Sequence, residues 1–274
     1  MAGIGVRLNK IFGRNTLTTN MIGFFYSTLV TVAPMFAIII NLVLMEYFLK
    51  FSTLGYAQRE LFSCTILYTF IFSLLTASPF NAVLSRYISD VIYEERYQDI
   101  LPCYHIGMML NIVLSCLVGI PFCLWEHFVG GVSVAYVFAG FWCYISLVFV
   151  FYSMIYLSIC KDYQRIAQYY IVGMLVAFFL SLFLRYICHW GITQSMLAAM
   201  DAGFFLTAVL ENALVKRYFR KNSNRYKPVL SYFKKYWQLV VTNFLYILGL
   251  YVHNFVFWTT DMRMVVVDSF VCNQ

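Results

Sequence analysis

Residues 21–49 read MIGFFYSTLVTVAPMFAIIINLVLMEYFL, and the one charged side chain among them is Glu46, near the end. A bilayer core about 30 Å thick is crossed by about 20 apolar residues in a helix. This run is longer than that. It also far exceeds the roughly 7–15 residues of a signal peptide's apolar region, and no A-x-A-like cleavage site follows it. The stretch therefore predicts a retained membrane helix, and the rest of the chain is read on that basis.

Composition points the same way. The 274 residues are 62% hydrophobic and 11% charged, with a mean hydropathy of +0.76. A soluble domain carries about 25% charged residues, so this chain lacks the polar surface to coat a water-soluble globule. The net charge of +7 is not read as a nucleic-acid signal. The basic residues gather at the ends of apolar runs, as membrane topology requires. Cysteines stand at 64, 103, 116, 123, 143, 160, 188 and 272, with no C-x-x-C pair. They read as buried thiols behaving as small apolar groups.

Apolar runs at 21–49, 61–84, 101–125, 132–158, 166–190, 192–215 and 236–258 predict an all-α integral membrane protein of about seven transmembrane helices. Pro34, Pro79 and Pro121 fall inside the first three runs and predict kinks. Ahead of the first run, residues 1–15 read MAGIGVRLNKIFGRN. Ile4, Leu8, Ile11 and Phe12 fall on one side of a helical wheel, away from Arg7, Lys10 and Arg14. That pattern predicts a short amphipathic helix lying in the membrane interface. With this end inside, the alternate connections place fifteen Lys and Arg inside and four outside. Such a bias is what the positive-inside rule expects.

Eight of the inside cations lie between runs six and seven: Lys216, Arg217, Arg220, Lys221, Arg225, Lys227, Lys234 and Lys235. They divide the chain into a cytoplasmic amphipathic segment at 1–20, a six-helix membrane lobe at 21–215 and a basic cytoplasmic loop at 216–235. Then come the first helix of a second lobe at 236–258 and an external tail at 259–274. Many transporters are built from internal repeats, so one helix after the loop suggests a fragment or a truncated form. The loop itself reads either as a dock for a glycosyltransferase or nucleotide-sugar, or as an anchor on anionic lipid.

No nucleophile–base pair, paired-carboxylate site, Walker loop or metal-ligand spacing appears, so no enzyme, cofactor or metal is expected. A polar path is better supported. Asp201 lies about mid-membrane in run six, where a carboxylate costs about 2.5–3.5 kcal/mol on insertion scales and must face a cavity or a partner. Asn212 returns to nearly the same helix face eleven residues on. Glu211 is expected to reach the interface. Asn243 and Asn254 repeat the eleven-residue spacing in run seven, and Asn41 and Asn111 sit in runs one and three. Each of these amides could bond sugar hydroxyls or serve as glue between helices. Aromatic residues make up 20% of the chain. They suit sugar rings, and they equally suit an interfacial belt, as Trp125, Trp142, Trp190 and Trp258 suggest.

Four stretches carry a family likeness. They are MAGIGVRLNKIFGRNTLT (1–18), SPFNAVLSRYISDVIYEERYQDI (78–100), YLSICKDYQRIAQYYIVGM (156–174) and YILGLYVHNFVFW (246–258). In order and spacing they resemble the N-terminal part of the PelG-type inner-membrane transporters of Pel exopolysaccharide. Those look like relatives of the multidrug and polysaccharide flippase superfamily. The resemblance implies export of an N-acetylgalactosamine-rich polymer across the cytoplasmic (inner) membrane during biofilm matrix secretion. It also implies a cytoplasmic glycosyltransferase and other Pel membrane proteins as partners. Two other functions compete: an ion-coupled flippase for a drug or lipid-linked oligosaccharide, with Asp201 as the ion site, and a non-transporting membrane scaffold.

Overall fold

The structure is a computed structural model that describes residues 17–160, 162–220, 222–259, 263–267 and 270–273. It is a helical bundle with α1 (Leu17–Phe48), α2 (Tyr56–Ala77), α3 (Asn81–Tyr93), α4 (Ile100–Phe128), α5 (Val134–Ile159), α6 (Tyr163–Tyr186), α7 (Ile192–Tyr218), α8 (Lys227–Lys235) and α9 (Trp237–Thr259). An antiparallel hairpin of β1 (Arg263–Val267) and β2 (Phe270–Asn273) follows. Among the described residues, α2, α4, α5, α6, α7 and α9 are long and apolar enough to cross a bilayer, and α1 ends in a shorter apolar piece at Val32–Phe48. The expected multi-span membrane architecture is present. The predicted amphipathic segment at 1–15 lies outside the described residues, as does the side chain of Trp258.

The three prolines behave differently. α1 runs through Pro34 and α4 through Pro121. At Pro79 the helix stops: α2 ends at Ala77 and α3 begins at Asn81. Proline cannot donate to the carbonyl four residues back, so each site loses one ladder bond. Only at Pro79 does the downstream sequence turn amphipathic. Val83, Leu84, Tyr87, Ile88 and Val91 bury one stripe of α3, while Arg86 and Ser89 lie off it. The predicted second span at 61–84 is therefore a shorter spanning helix followed by a separate surface helix. Burial pushes the Tyr87 phenol up to about 12, and the Asp99 carboxylate adds to the rise.

Contacts between connections show which ends share a side. Tyr218 at the end of α7 donates to Asp162 ahead of α6. Ser223 N–H donates to the Gln98 carbonyl at 3.1 Å, and the Tyr232 hydroxyl donates to Asp90 at 2.9 Å. The connections after α3, after α5 and after α7 thus lie on one face. On the opposite face the Tyr186 hydroxyl at the end of α6 donates to the Phe48 carbonyl at the end of α1, at 2.8 Å. The connections that meet on the first of these faces are ones that the charge count assigns to a common side.

The basic segment is not a plain loop. Its helix α8 buries Val229 and stacks Tyr232 edge-on against Tyr87, with ring centres 4.9 Å apart. Phe233 meets Phe80, and Arg86 caps the Tyr236 ring at 4.4 Å. Lys216, Arg217, Arg220, Arg225, Lys227, Lys234 and Lys235 all stay exposed.

α7 lies at the centre, packed on α5 and α6. Met196, Met200 and Phe204 are fully buried in it. Its closest crossing is Gly203 against Gly173 of α6. A Cβ on Gly203 would lie 2.7 Å from the Gly173 carbonyl oxygen and 2.8 Å from the Ala177 Cβ. The Thr207 hydroxyl donates to the Gly203 carbonyl within its own helix at 2.9 Å and reaches the Tyr169 carbonyl of α6 across the same seam at 3.4 Å. Small residues four apart on each helix, Gly173 with Ala177 and Gly203 with Thr207, let the backbones meet as they do in membrane helix pairs.

The cysteines depart from the expected buried thiols at Cys188, which is exposed, and at Cys64. Cys103, Cys116, Cys123, Cys143, Cys160 and Cys188 are free thiols, while Cys64 is disulfide-bonded. Identical chemistry in the sequence hid the difference, because only the fold decides which thiols meet.

Candidate functional site

A cavity of about 240 Å³ opens between α2, α4 and α5. Period-four spacing builds one wall: Thr65, Tyr68, Thr69 and Phe72 share a face of α2. α4 contributes Gly119, Phe122 and Glu126, and α5 contributes Tyr136, Gly140 and Tyr144. Gly119 is needed here, because a Cβ would come within 2.9 Å of both the Phe141 and Tyr144 rings.

The rings are held by polar ties. Tyr136 donates to the Thr65 hydroxyl at 3.1 Å, and Tyr144 donates to the Thr76 hydroxyl at 3.1 Å. Phe122 sits edge-on to Tyr68 at 5.9 Å and tilted on Phe72 at 5.7 Å. Glu126 closes one end and is 2% exposed. The volume falls below the roughly 300–1,000 Å³ of pockets for drug-sized ligands, so it suits one ring-sized group. Aromatic faces offer apolar contact to such a ring. The hydroxyls of Thr65, Thr69, Tyr136 and Tyr144 are bonded to one another or to nearby groups, so the surface turned to the cavity is almost wholly apolar.

None of the six candidate path residues lines this cavity. Asp201 is half-buried between α7 and α5, where it accepts from the Ser146 hydroxyl at 2.9 Å. Asn41 is enclosed by thioethers, its amide facing the sulfurs of Met45, Met174 and Met200 at 3.8, 3.6 and 3.3 Å. Asn111 donates to the Gly107 carbonyl one turn back at 2.8 Å, and its own carbonyl oxygen is buried without a hydrogen-bond partner. Asn212 also buries its carbonyl oxygen without such a partner. Asn243 donates to the Ser78 carbonyl and so ties α9 to the end of α2. Asn254 is buried and pairs with the His253 ring at 3.0 Å. Asn41 and Asn243 reach groups outside their own helices, as amides acting as glue do, whereas Asn111 bonds within its own helix.

Glu211 departs from its expected place. It does not reach the interface: it is fully buried, and neither carboxylate oxygen has a hydrogen-bond partner. Beside it runs a set of buried tyrosines. Tyr104 pairs with the Ser153 hydroxyl at 3.0 Å. Tyr152 donates to the Tyr104 carbonyl at 2.8 Å, and its oxygen lies 2.9 Å from that of Tyr156. Sequence reasoning passed over these residues as ordinary aromatics. The available signal was the four-residue spacing of Tyr152 and Tyr156, which puts two hydroxyls on one face in the last two turns of α5.

No curated protein and no solved structure matches the chain. A family model does, over residues 1–274, and its description is "PelG: Putative exopolysaccharide Exporter (EPS-E)". The bundle, the aromatic cavity and this match over the whole chain lead to one statement: the chain belongs to the PelG family of exopolysaccharide exporters.

Proposed function

We propose that this chain forms part of the path by which a Pel-like polysaccharide, rich in N-acetylgalactosamine, leaves the cell across the cytoplasmic membrane. The observation that carries the reading is the cavity lined by Tyr68, Phe72, Phe122, Tyr136 and Tyr144, with Glu126 at its end. It takes one sugar ring at a time, with the ring's apolar face on the aromatics. Such a site guides a polymer without any bond being made or broken, so the role is transport and not catalysis.

The orientation that fits places the N-terminus and the face bearing Arg86, Arg165 and the exposed cations of 216–235 in the cytoplasm. A cytoplasmic glycosyltransferase would deliver the growing chain to the basic face, and other Pel membrane proteins would complete the assembly. α9 is the first helix of a second lobe in this reading. Its Leu245, Leu250 and Val256 are exposed, ready for further helices.

The test is export by the full-length protein carrying Phe122→Ala or Glu126→Gln, with its abundance in the membrane measured alongside. Secreted polymer should fall severalfold in both. Wild-type secretion from a well-expressed Phe122→Ala variant would remove the cavity from the path.

A further inference from the structure

We propose that Glu211 is a proton-exchanging group, and that its neutral form keeps the cytoplasmic end of the six-helix lobe closed. The functional arm of this proposal rests on the export reading above. The structural arm does not.

Glu211 lies seven residues before the end of α7, about 10 Å from that end at a rise of 1.5 Å per residue. Its exposure is 0%. Neither oxygen has a hydrogen-bond partner, and none of the ion pairs among the described residues includes it. An isolated carboxylate cannot stay charged in such surroundings, because nothing replaces its lost hydration. It takes up a proton instead. Ionisable groups inside a membrane span are costly to keep, and a role in moving charge is the usual reason for them.

Titratable groups face this site from the helices packed against it. Tyr104 of α4 and Tyr170 of α6 lie within electrostatic reach of Glu211. Tyr152 and Tyr156 of α5 occupy the next positions, their hydroxyls bonded to each other. Cys103 of α4 lies 3.6 Å from Tyr156. α2 offers no titratable side chain between Thr69 and Ala77. Lys216, one turn further along α7, is exposed and sits close enough to His105 to influence it. No cation therefore neutralises the carboxylate, and the nearest one points to the basic face.

The consequence is a two-state end. Closed, the lobe holds a neutral acid that still lacks a hydrogen-bond partner, which is itself unfavourable. Parting α4, α6 and α7 lets water reach both oxygens. The proton then passes to water at the basic face, and the carboxylate left behind cannot be buried again. Reclosure requires a proton to return from water to the same carboxyl. Asp201 fits this role less well, because the Ser146 hydroxyl already serves it and it is only half-buried.

Two measurements test the proposal. Infrared spectra of the chain in lipid nanodiscs at neutral pH should show a protonated-carboxyl C=O stretch. It should disappear in Glu211→Gln and persist in Asp201→Asn. In cells, full-length Glu211→Gln should reach wild-type abundance while export falls about tenfold or more, and Glu211→Asp should keep export, because only the aspartate still exchanges a proton. An unchanged carboxyl band in Glu211→Gln overturns the proposal. So does wild-type export from Glu211→Gln. If Glu211→Gln fails to accumulate, Glu211→Asp decides: it must shift the band, and an unshifted band refutes the assignment. The band is read without transport. Its loss in a chain that exports nothing would support the proton site and count against the export reading alone.

Discussion

Replacing Gly203 by alanine adds one methyl group at the tightest crossing of the bundle. The new Cβ would stand 2.7 Å from the Gly173 carbonyl oxygen, well inside the 3.4 Å at which ordinary contact begins. The obstacle is backbone, which cannot rotate aside. α6 and α7 must therefore separate by about 0.7 Å along that direction. Overpacking of this kind costs about 1–3 kcal/mol. The Thr207 hydroxyl spans the same seam, within 2.9 Å of the Gly203 carbonyl and 3.4 Å of the Tyr169 carbonyl, and loosening an interhelical contact of that sort adds about 0.6 kcal/mol. A loss of about 1.6–3.6 kcal/mol follows, which is roughly a 15- to 400-fold shift in the unfolding equilibrium. Denaturation of the purified chain in mixed micelles, followed by helix circular dichroism, reads it directly. Gly249→Ala is the control. A Cβ there meets nothing within 4 Å, so that variant should be neutral or gain up to about 1 kcal/mol from helix propensity. If Gly203→Ala proves as stable as Gly249→Ala, the seam between α6 and α7 is not packed as described.

Three further outcomes are expected. Asp201→Asn should retain most polymer export, because an amide oxygen still accepts from Ser146, whereas Asp201→Leu should lose it at equal abundance; secreted polymer per unit of membrane protein measures both. Asn41→Leu should change unfolding stability by less than about 1.5 kcal/mol, since the thioethers around it accept hydrogen bonds weakly. An impermeant maleimide added from outside should modify Cys188, which is exposed on the Phe48–Tyr186 side, and should leave Cys160 unmodified. Cys160 lies on the opposite side, and burial pushes its thiol up to about 11, so little of it is thiolate at neutral pH.

Much of the fold is legible in the residues because a membrane span is a one-dimensional signal. Length and hydropathy predict α4, α5, α7 and α9 to within a few residues at most ends. The miss at α2 and α3 has a clear cause. Pro34, Pro79 and Pro121 look alike in the chain, and what separates them is whether the next turns are apolar all round or striped. The stripe Val83, Leu84, Tyr87, Ile88 and Val91 marks a helix that leaves the bilayer. The site was less legible. Mid-span polarity drew attention to Asp201 and to five asparagines, yet a polar residue inside a bundle satisfies itself on whatever lies opposite. Asn41 finds three sulfurs from two other helices and its own, a meeting no local pattern encodes. The cavity is built from aromatics, which the chain has everywhere. Glu211 was placed by its distance from the helix end, which gives depth in the membrane but not direction around the helix. Direction decided its burial.

The corner at Pro79 sets how the bundle can deform. α9 is attached there through Asn243 on the Ser78 carbonyl, and α8 is attached one step away through Phe233 on Phe80 and Tyr232 on Asp90. Asn243 on Ser78 and Phe233 on Phe80 lie at the break between two helices, where the ladder is already interrupted, while Tyr232 on Asp90 holds the far end of α3. The corner is thus a fulcrum. If α9 swings as a lever, its short arm is fixed at Ser78 and its long arm, with Tyr246 and Val252 exposed, sweeps the opposite side of the membrane.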